Sequence, residues 1–125
     1  MIQLRGRVLR GAGYGRKLGF PTANLDRRQF ARLQQPVRLG IYAGIVQIDN
    51  KARRFPAGIV IGPKDANGLP KIEAHLLGFR GNLYGKRLTL QLIEYLRPFR
   101  SYATESSLRQ VISQDMKQVA KFIRL

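Results

Sequence analysis

Two hydrophobic periods divide this chain, and the change from one to the other limits what it can fold into. Through Leu96 the apolar residues fall in short runs that alternate, imperfectly, with polar ones, and Gly-, Pro- and Asn/Asp-rich turns separate the runs. Residues 2–10 read as a first strand with Arg5 and Arg7 on its outer face. Gly40 to Ile48 is the clearest strand, rich in aromatic and β-branched residues, and Asp49-Asn50-Lys51 turns it into a partner at about Arg54 to Ile61. Residues 62–70 have loop composition, Lys71 to Leu77 and Arg87 to Leu96 read as strands, and Arg80 to Gly85 joins them as a turn. Arg27 to Gln35 is polar and basic, a loop with at most a helical turn. After Thr104 the spacing becomes helical, with Leu108, Val111, Ile112, Met116, Val119 and Ile123 on one face. Thr104 can cap that helix, Glu105 suits the positive end of its dipole, and Lys117, Lys121 and Arg124 suit the other. Five or six short, mostly antiparallel strands followed by one helix predict a closed barrel with the helix packed on it.

At 125 residues there is room for one domain, residues 1–125, and one core. No apolar run approaches the roughly 20 residues that span a bilayer, and the start of the chain lacks the apolar core of a signal peptide, so no membrane is expected and the cytoplasm is the expected compartment. There is no cysteine, which excludes disulfides and thiolate metal sites, and one histidine makes a poor zinc site. The net charge of +16 favours anionic partners, though an Arg-rich surface alone does not name one. Acid–base chemistry is confined to a short list: His75 and the carboxylates of Asp26, Asp49, Asp65, Glu73, Glu94, Glu105 and Asp115.

The stretch Gly11-Ala12-Gly13-Tyr14-Gly15-Arg16-Lys17-Leu18-Gly19 admits two readings. Its glycines serve sharp turns, or their backbone N–H groups form a nest for phosphate beside the charges of Arg16 and Lys17. It is not a Walker loop, since no Gly-Lys-Ser/Thr occurs in it, and no long helix follows to make a dinucleotide fold. Pro21-Thr22-Ala23-Asn24 closes the stretch. In an extended segment Thr22 and Asn24 share a face, where a hydroxyl and an amide carbonyl suit Mg²⁺ completed by phosphate and water, or else bond to local backbone.

Alternation over residues 71–77 puts Ile72, Ala74 and Leu76 on one face and Glu73 with His75 on the other. Glu73 is the best candidate for a general base, against the plainer reading of a surface carboxylate paired with an arginine; His75 reads as structural. Tyr84 either packs on the core or flanks a planar ligand.

From about Gly6 to Asp115 the chain resembles riboflavin kinase, the ATP:riboflavin 5′-phosphotransferase module. The resemblance is carried by Gly6-Arg7-Val8, Gly11, Gly15-Arg16 and Leu18-Gly19-Phe20-Pro21-Thr22-Ala23-Asn24-Leu25, then by Gly40-Ile41-Tyr42-Ala43-Gly44, Glu73-Ala74-His75-Leu76-Leu77, Leu83-Tyr84-Gly85-Lys86 and Leu96-Arg97-Pro98. It implies a mainly β fold, a six-stranded antiparallel Greek-key barrel with a C-terminal α-helix. It also implies that riboflavin and ATP are the partners, and that Mg²⁺ is the cofactor. Glu73 would be the base on the ribityl 5′-hydroxyl, and Thr22 and Asn24 would hold Mg²⁺ and the nucleotide phosphates. Gly11, Gly13, Gly15, Arg16 and Lys17 would belong to a flap over the nucleotide. Flavin would lie between Leu83, Tyr84 and Gly85 and the C-terminal helix, near Arg97, Leu108 and Ile112.

Some positions depart from the family pattern. Gly78, Asn82 and Phe99 stand where carboxylates are usual, and Ile61-Gly62-Pro63-Lys64-Asp65-Ala66 lacks the usual Pro-Thr. These changes concern the flavin side, and they motivate an alternative: a diverged, non-enzymatic module that binds flavin or RNA and regulates. Nucleic acid ranks below riboflavin and ATP as a partner, since no RNA-binding motif or stacking platform is present. The nucleotide-binding histidine signature of an adenylyltransferase is absent, so FMN adenylation is not expected. The chain is expected to act as a monomer or as a domain of a larger protein.

Overall fold

The computed structural model describes residues 2–10, 22–33, 35–49 and 51–125. Six strands, one 3₁₀ helix and one α-helix follow in the order β1 (Ile2–Leu9), β2 (Thr22–Leu25), the 3₁₀ helix (Arg27–Arg32), β3 (Gly40–Ile48), β4 (Arg54–Lys64), β5 (Pro70–Leu76), β6 (Arg87–Arg97) and α1 (Glu105–Phe122). All pairings are antiparallel and close a barrel in the order β1-β2-β5-β4-β3-β6. Strands β3, β4 and β5 form a meander and β6 returns beside β3, which is a Greek key. The barrel-and-helix fold expected from the sequence is therefore the fold observed.

Alternation explains where each strand puts its side chains. Leu4, Val8, Ala23, Leu25, Val46, Phe55, Ala57, Ile59, Ile61, Ile72, Ala74, Leu76, Leu88 and Leu90 fill the barrel interior. A second apolar layer lies outside the barrel wall. There Ile112, Met116, Val119 and Ile123 of α1 and its C-terminal cap pack against Ala43, with Ile45, Leu77, Leu96 and Leu108 at the edges. Two glycines make the close approaches that this double layer needs. A Cβ on Gly44 would sit 2.2 Å from the Gln91 carbonyl, where β3 shifts register against β6. A Cβ on Gly58 would come within 3.2 Å of Met116 Sδ, so the bare backbone of β4 lets α1 lie down on it. The helix begins as the sequence suggests, with Thr104 Oγ1 accepting from the Ser107 N–H at 3.1 Å.

Two boundaries differ from expectation. β4 runs on through Gly62 and Pro63 to Lys64, although the composition there reads as loop. The register against β5 shifts between Ile61 and Lys64, so the prolyl nitrogen is not asked for a ladder hydrogen bond. β5 correspondingly begins at Pro70. Among the described residues, no helix is long and apolar enough to cross a membrane.

Candidate active site

The β2–β5 pairing assembles four polar side chains on the outer face of the barrel. Ala23 and Leu25 point inward from β2, which turns Thr22 and Asn24 outward; Ile72, Ala74 and Leu76 point inward from β5, which turns Glu73 and His75 outward. The antiparallel register sets Thr22 opposite His75 and Asn24 opposite Glu73. Directly opposite residues in such a pair stand about 5 Å apart at Cβ, close enough to share one ligand. On the other side of β5, His75 faces Gly58 and Glu73 faces Val60. Gly58 is where α1 sits on β4, so the four residues lie beside the strip of barrel wall that the helix covers.

Within this patch the hydrogen bonds form a chain. Thr22 Oγ1 is 3.1 Å from His75 Nδ1, His75 Nε2 is 3.0 Å from Glu73 Oε1, and Lys71 Nζ is 3.0 Å from Glu73 Oε2. His75 is buried, and the Glu73 side chain is only 13% exposed while that of Lys71 is 52% exposed. Burial alone would push the Glu73 carboxyl up. The hydrogen bond from His75, then that from Lys71 with its charge, oppose burial and hold the carboxyl below its ordinary value. Glu73 is thus an ionised carboxylate in a mostly dry setting, with lone pairs free to accept a proton. Its partners are a lysine and the histidine, not the arginine that a plain surface role suggested.

The residues expected on the flavin side are not gathered in one place. Leu83, Tyr84 and Gly85 precede β6, and Arg97 ends it, so about 33 Å of strand separates the two groups. Leu83 is buried in the barrel core, where the turn tucks it inward. Tyr84 is exposed, with the Arg10 guanidinium 5.1 Å from its ring centre, and the Gly85 carbonyl accepts from Arg7 Nη1 at 2.8 Å. This half borders a cleft of about 150 Å³ lined by Ile48, Arg53, Phe55, Phe79 and Lys86. The other half borders an open cleft of about 370 Å³ between β6 and α1, lined by Glu94, Tyr95, Arg97, Asp115 and Phe122. Ile112 is buried in the layer between helix and barrel, and Leu108 packs at its edge. A long strand lies between the two groups, and packing occupies Leu83 and Ile112. Gly11, Gly13, Gly15, Arg16 and Lys17, the expected nucleotide flap, lie outside the described residues.

Sequence reasoning passed over Asp115. It binds Arg97 through both carboxylate oxygens, at 2.9 and 2.7 Å. A signal was available, because Asp115 follows Leu108 by seven positions and so falls beside the apolar stripe of α1.

A family model described as riboflavin kinase matches residues 1–123. The chain belongs to the riboflavin kinase family. Human riboflavin kinase is 31% identical over 124 residues, covering 97% of this chain and 80% of the human protein. The bifunctional riboflavin kinase/FMN adenylyltransferase of Mycoplasma pneumoniae is 33% identical over 117 residues, which is 94% of this chain and 41% of that protein. The chain spans about two fifths of the length of such bifunctional relatives, 41% and 36% in two of them. The crystal structure of riboflavin kinase from Trypanosoma brucei superposes with a TM-score of 0.65 at 24% identity, over 95% of this chain and 74% of that one, and shares the fold. The barrel and its helix are therefore those of a riboflavin kinase family member.

Proposed function

We propose that this protein transfers the γ-phosphoryl group of MgATP to the 5′-hydroxyl of riboflavin, giving FMN and ADP. The observation that carries the reading is the ionised, mostly buried Glu73 set in register with Thr22 and Asn24. Family membership supplies the substrate class. Glu73 accepts the ribityl hydroxyl proton, the freed oxygen forms a bond to the γ-phosphorus, and the bond from that phosphorus to the leaving ADP oxygen breaks. Glu73 has one oxygen fixed by buried His75, so the oxygen now held by exposed Lys71 is the one that the hydroxyl takes over.

The donor set fits Mg²⁺ rather than a softer metal. Thr22 and Asn24 offer neutral oxygens, and among the described residues no group of three or more His, Cys, Asp or Glu could hold an ion alone. A cation here must draw most of its ligands from phosphate and water, which is how Mg²⁺ binds beside nucleotides. When bound, the ion screens the charge of the transferring phosphoryl group. Thr22 and Asn24 would hold it, with Glu73 ionised a short distance away across one strand pair.

The test is incubation of the folded protein with riboflavin, ATP and Mg²⁺, followed by chromatography for FMN. FMN formed with all three and lost on omitting Mg²⁺ is the expected result. Folded protein that forms none overturns the proposal.

A further inference from the structure

We infer that His75 is a positioning residue that ties the cation-binding hydroxyl to the general base, one ring nitrogen serving each; this rests on the kinase reading above. The imidazole is buried and spans the patch, with Nε2 at 3.0 Å from Glu73 Oε1 and Nδ1 at 3.1 Å from Thr22 Oγ1. A carboxylate only accepts, so Nε2 carries a proton and donates it to Oε1. In a neutral ring Nδ1 is then an acceptor, and the Thr22 hydroxyl is placed to donate to it. The consequence for Thr22 is directional. With its proton pointed at the imidazole, the oxygen meets an approaching cation with lone-pair density, which is what Mg²⁺ needs. The opposite tautomer would turn a proton-bearing nitrogen on the carboxylate's side into a bare lone pair facing an anion. One ring therefore sets the rotamer of the base and the hydrogen-bond direction of the hydroxyl, although the two belong to different strands. Gly58 contributes by its lack of a side chain, since it lies opposite His75 and lets α1 close over the neighbouring wall.

Two isosteric variants separate the two duties. His75→Asn keeps an acceptor near the Nδ1 position and removes the contact to Glu73. His75→Gln keeps a donor near the Nε2 position and removes the acceptor for Thr22. His75→Asn is expected to lower kcat at least tenfold with little change in KM for MgATP. His75→Gln is expected to weaken MgADP binding, measured by calorimetry without turnover, at least fivefold, and to keep more of kcat than His75→Asn does. If both variants lower kcat and MgADP affinity in equal proportion, or change neither, the inference fails while the kinase reading stands. If the wild-type protein forms no FMN, both fall together.

A second measurement needs no variant. His75 is the chain's only histidine, so its ring ¹⁵N resonances are unambiguous. The neutral ring is expected to carry its proton on Nε2, and the Nδ1–H tautomer overturns the inference.

Discussion

Two carboxylates in this molecule are equally shielded and differently bound. The side chains of Glu73 and Asp115 are each 13% exposed, and each has a cationic partner. Asp115 is held by one rigid guanidinium, in a paired contact at 2.9 and 2.7 Å, and that guanidinium is itself only 18% exposed. The Arg97 side is correspondingly stabilised as a cation: the hydrogen bond to Asp115 raises its pKa more than burial lowers it. Glu73 divides its oxygens between a buried neutral-capable ring and a lysine that is half in water. A bidentate arginine pair leaves a carboxylate nothing to exchange. A flexible, hydrated lysine on one oxygen leaves it a contact that a substrate can take over. The burial is the same, and under the proposed function it is the exchangeability of the partners that separates a structural pair from a catalytic one.

The largest effect that can break this comparison is on rate. Glu73→Gln keeps the shape of the side chain and removes its basicity, so turnover should fall by about 10²–10⁴. MgATP binding should persist, because Thr22 and Asn24 are untouched. Steady-state FMN formation alongside calorimetry checks both, and near-normal turnover would put Glu73 and Asp115 in the same structural class. Asp115→Asn should show the reverse pattern. It strands the Arg97 guanidinium beside a neutral amide at the junction of β6 and α1, at a cost of about 2 kcal/mol in unfolding free energy. A urea titration reads this as a lower midpoint. An unchanged midpoint would mean that solvent already screens the pair and that its burial carries no weight.

What the sequence revealed and what it hid divide along a physical line. Local periodicity exposed each strand and the helix, because alternation and 3.6-residue spacing are written within single segments. It also exposed the shared face of Glu73 and His75, two residues apart on β5. It could not expose the contact between Thr22 and His75, which are 53 residues apart and meet only because the barrel places β2 beside β5. The same limit applied to Arg97 and Asp115, where a strand end meets a mid-helix residue. The flavin side implied by the family resemblance runs from Leu83 to Ile112, and its two groups stand at opposite ends of β6, beside different clefts. Gly62 and Pro63 did mislead, since a register shift lets a proline stay in β4.

The smallest expected effect is the most discriminating. Lys71→Met removes an ion pair whose lysine is largely in water, so stability should change by less than about 1 kcal/mol. Its influence on Glu73 should nonetheless be visible in the pH dependence of turnover. In the wild-type protein His75 and Lys71 together outweigh burial, so the carboxyl stays ionised to a lower pH than an ordinary glutamate. Activity that needs the ionised base is present above that lowered pKa and is lost as pH falls through it. Without Lys71, burial is opposed by His75 alone, the pKa rises, and the acid limb of kcat should move to higher pH. Any stability that the pair supplies has the same sign: it is present above the unfolded-state pKa of Glu73 and lost as pH falls through the folded-state value, so the variant's small deficit should shrink in acid. An acid limb that stays in place would show that Lys71 does not govern the carboxylate, and that the exposed partner of Glu73 differs from the buried partner of Asp115 in position only.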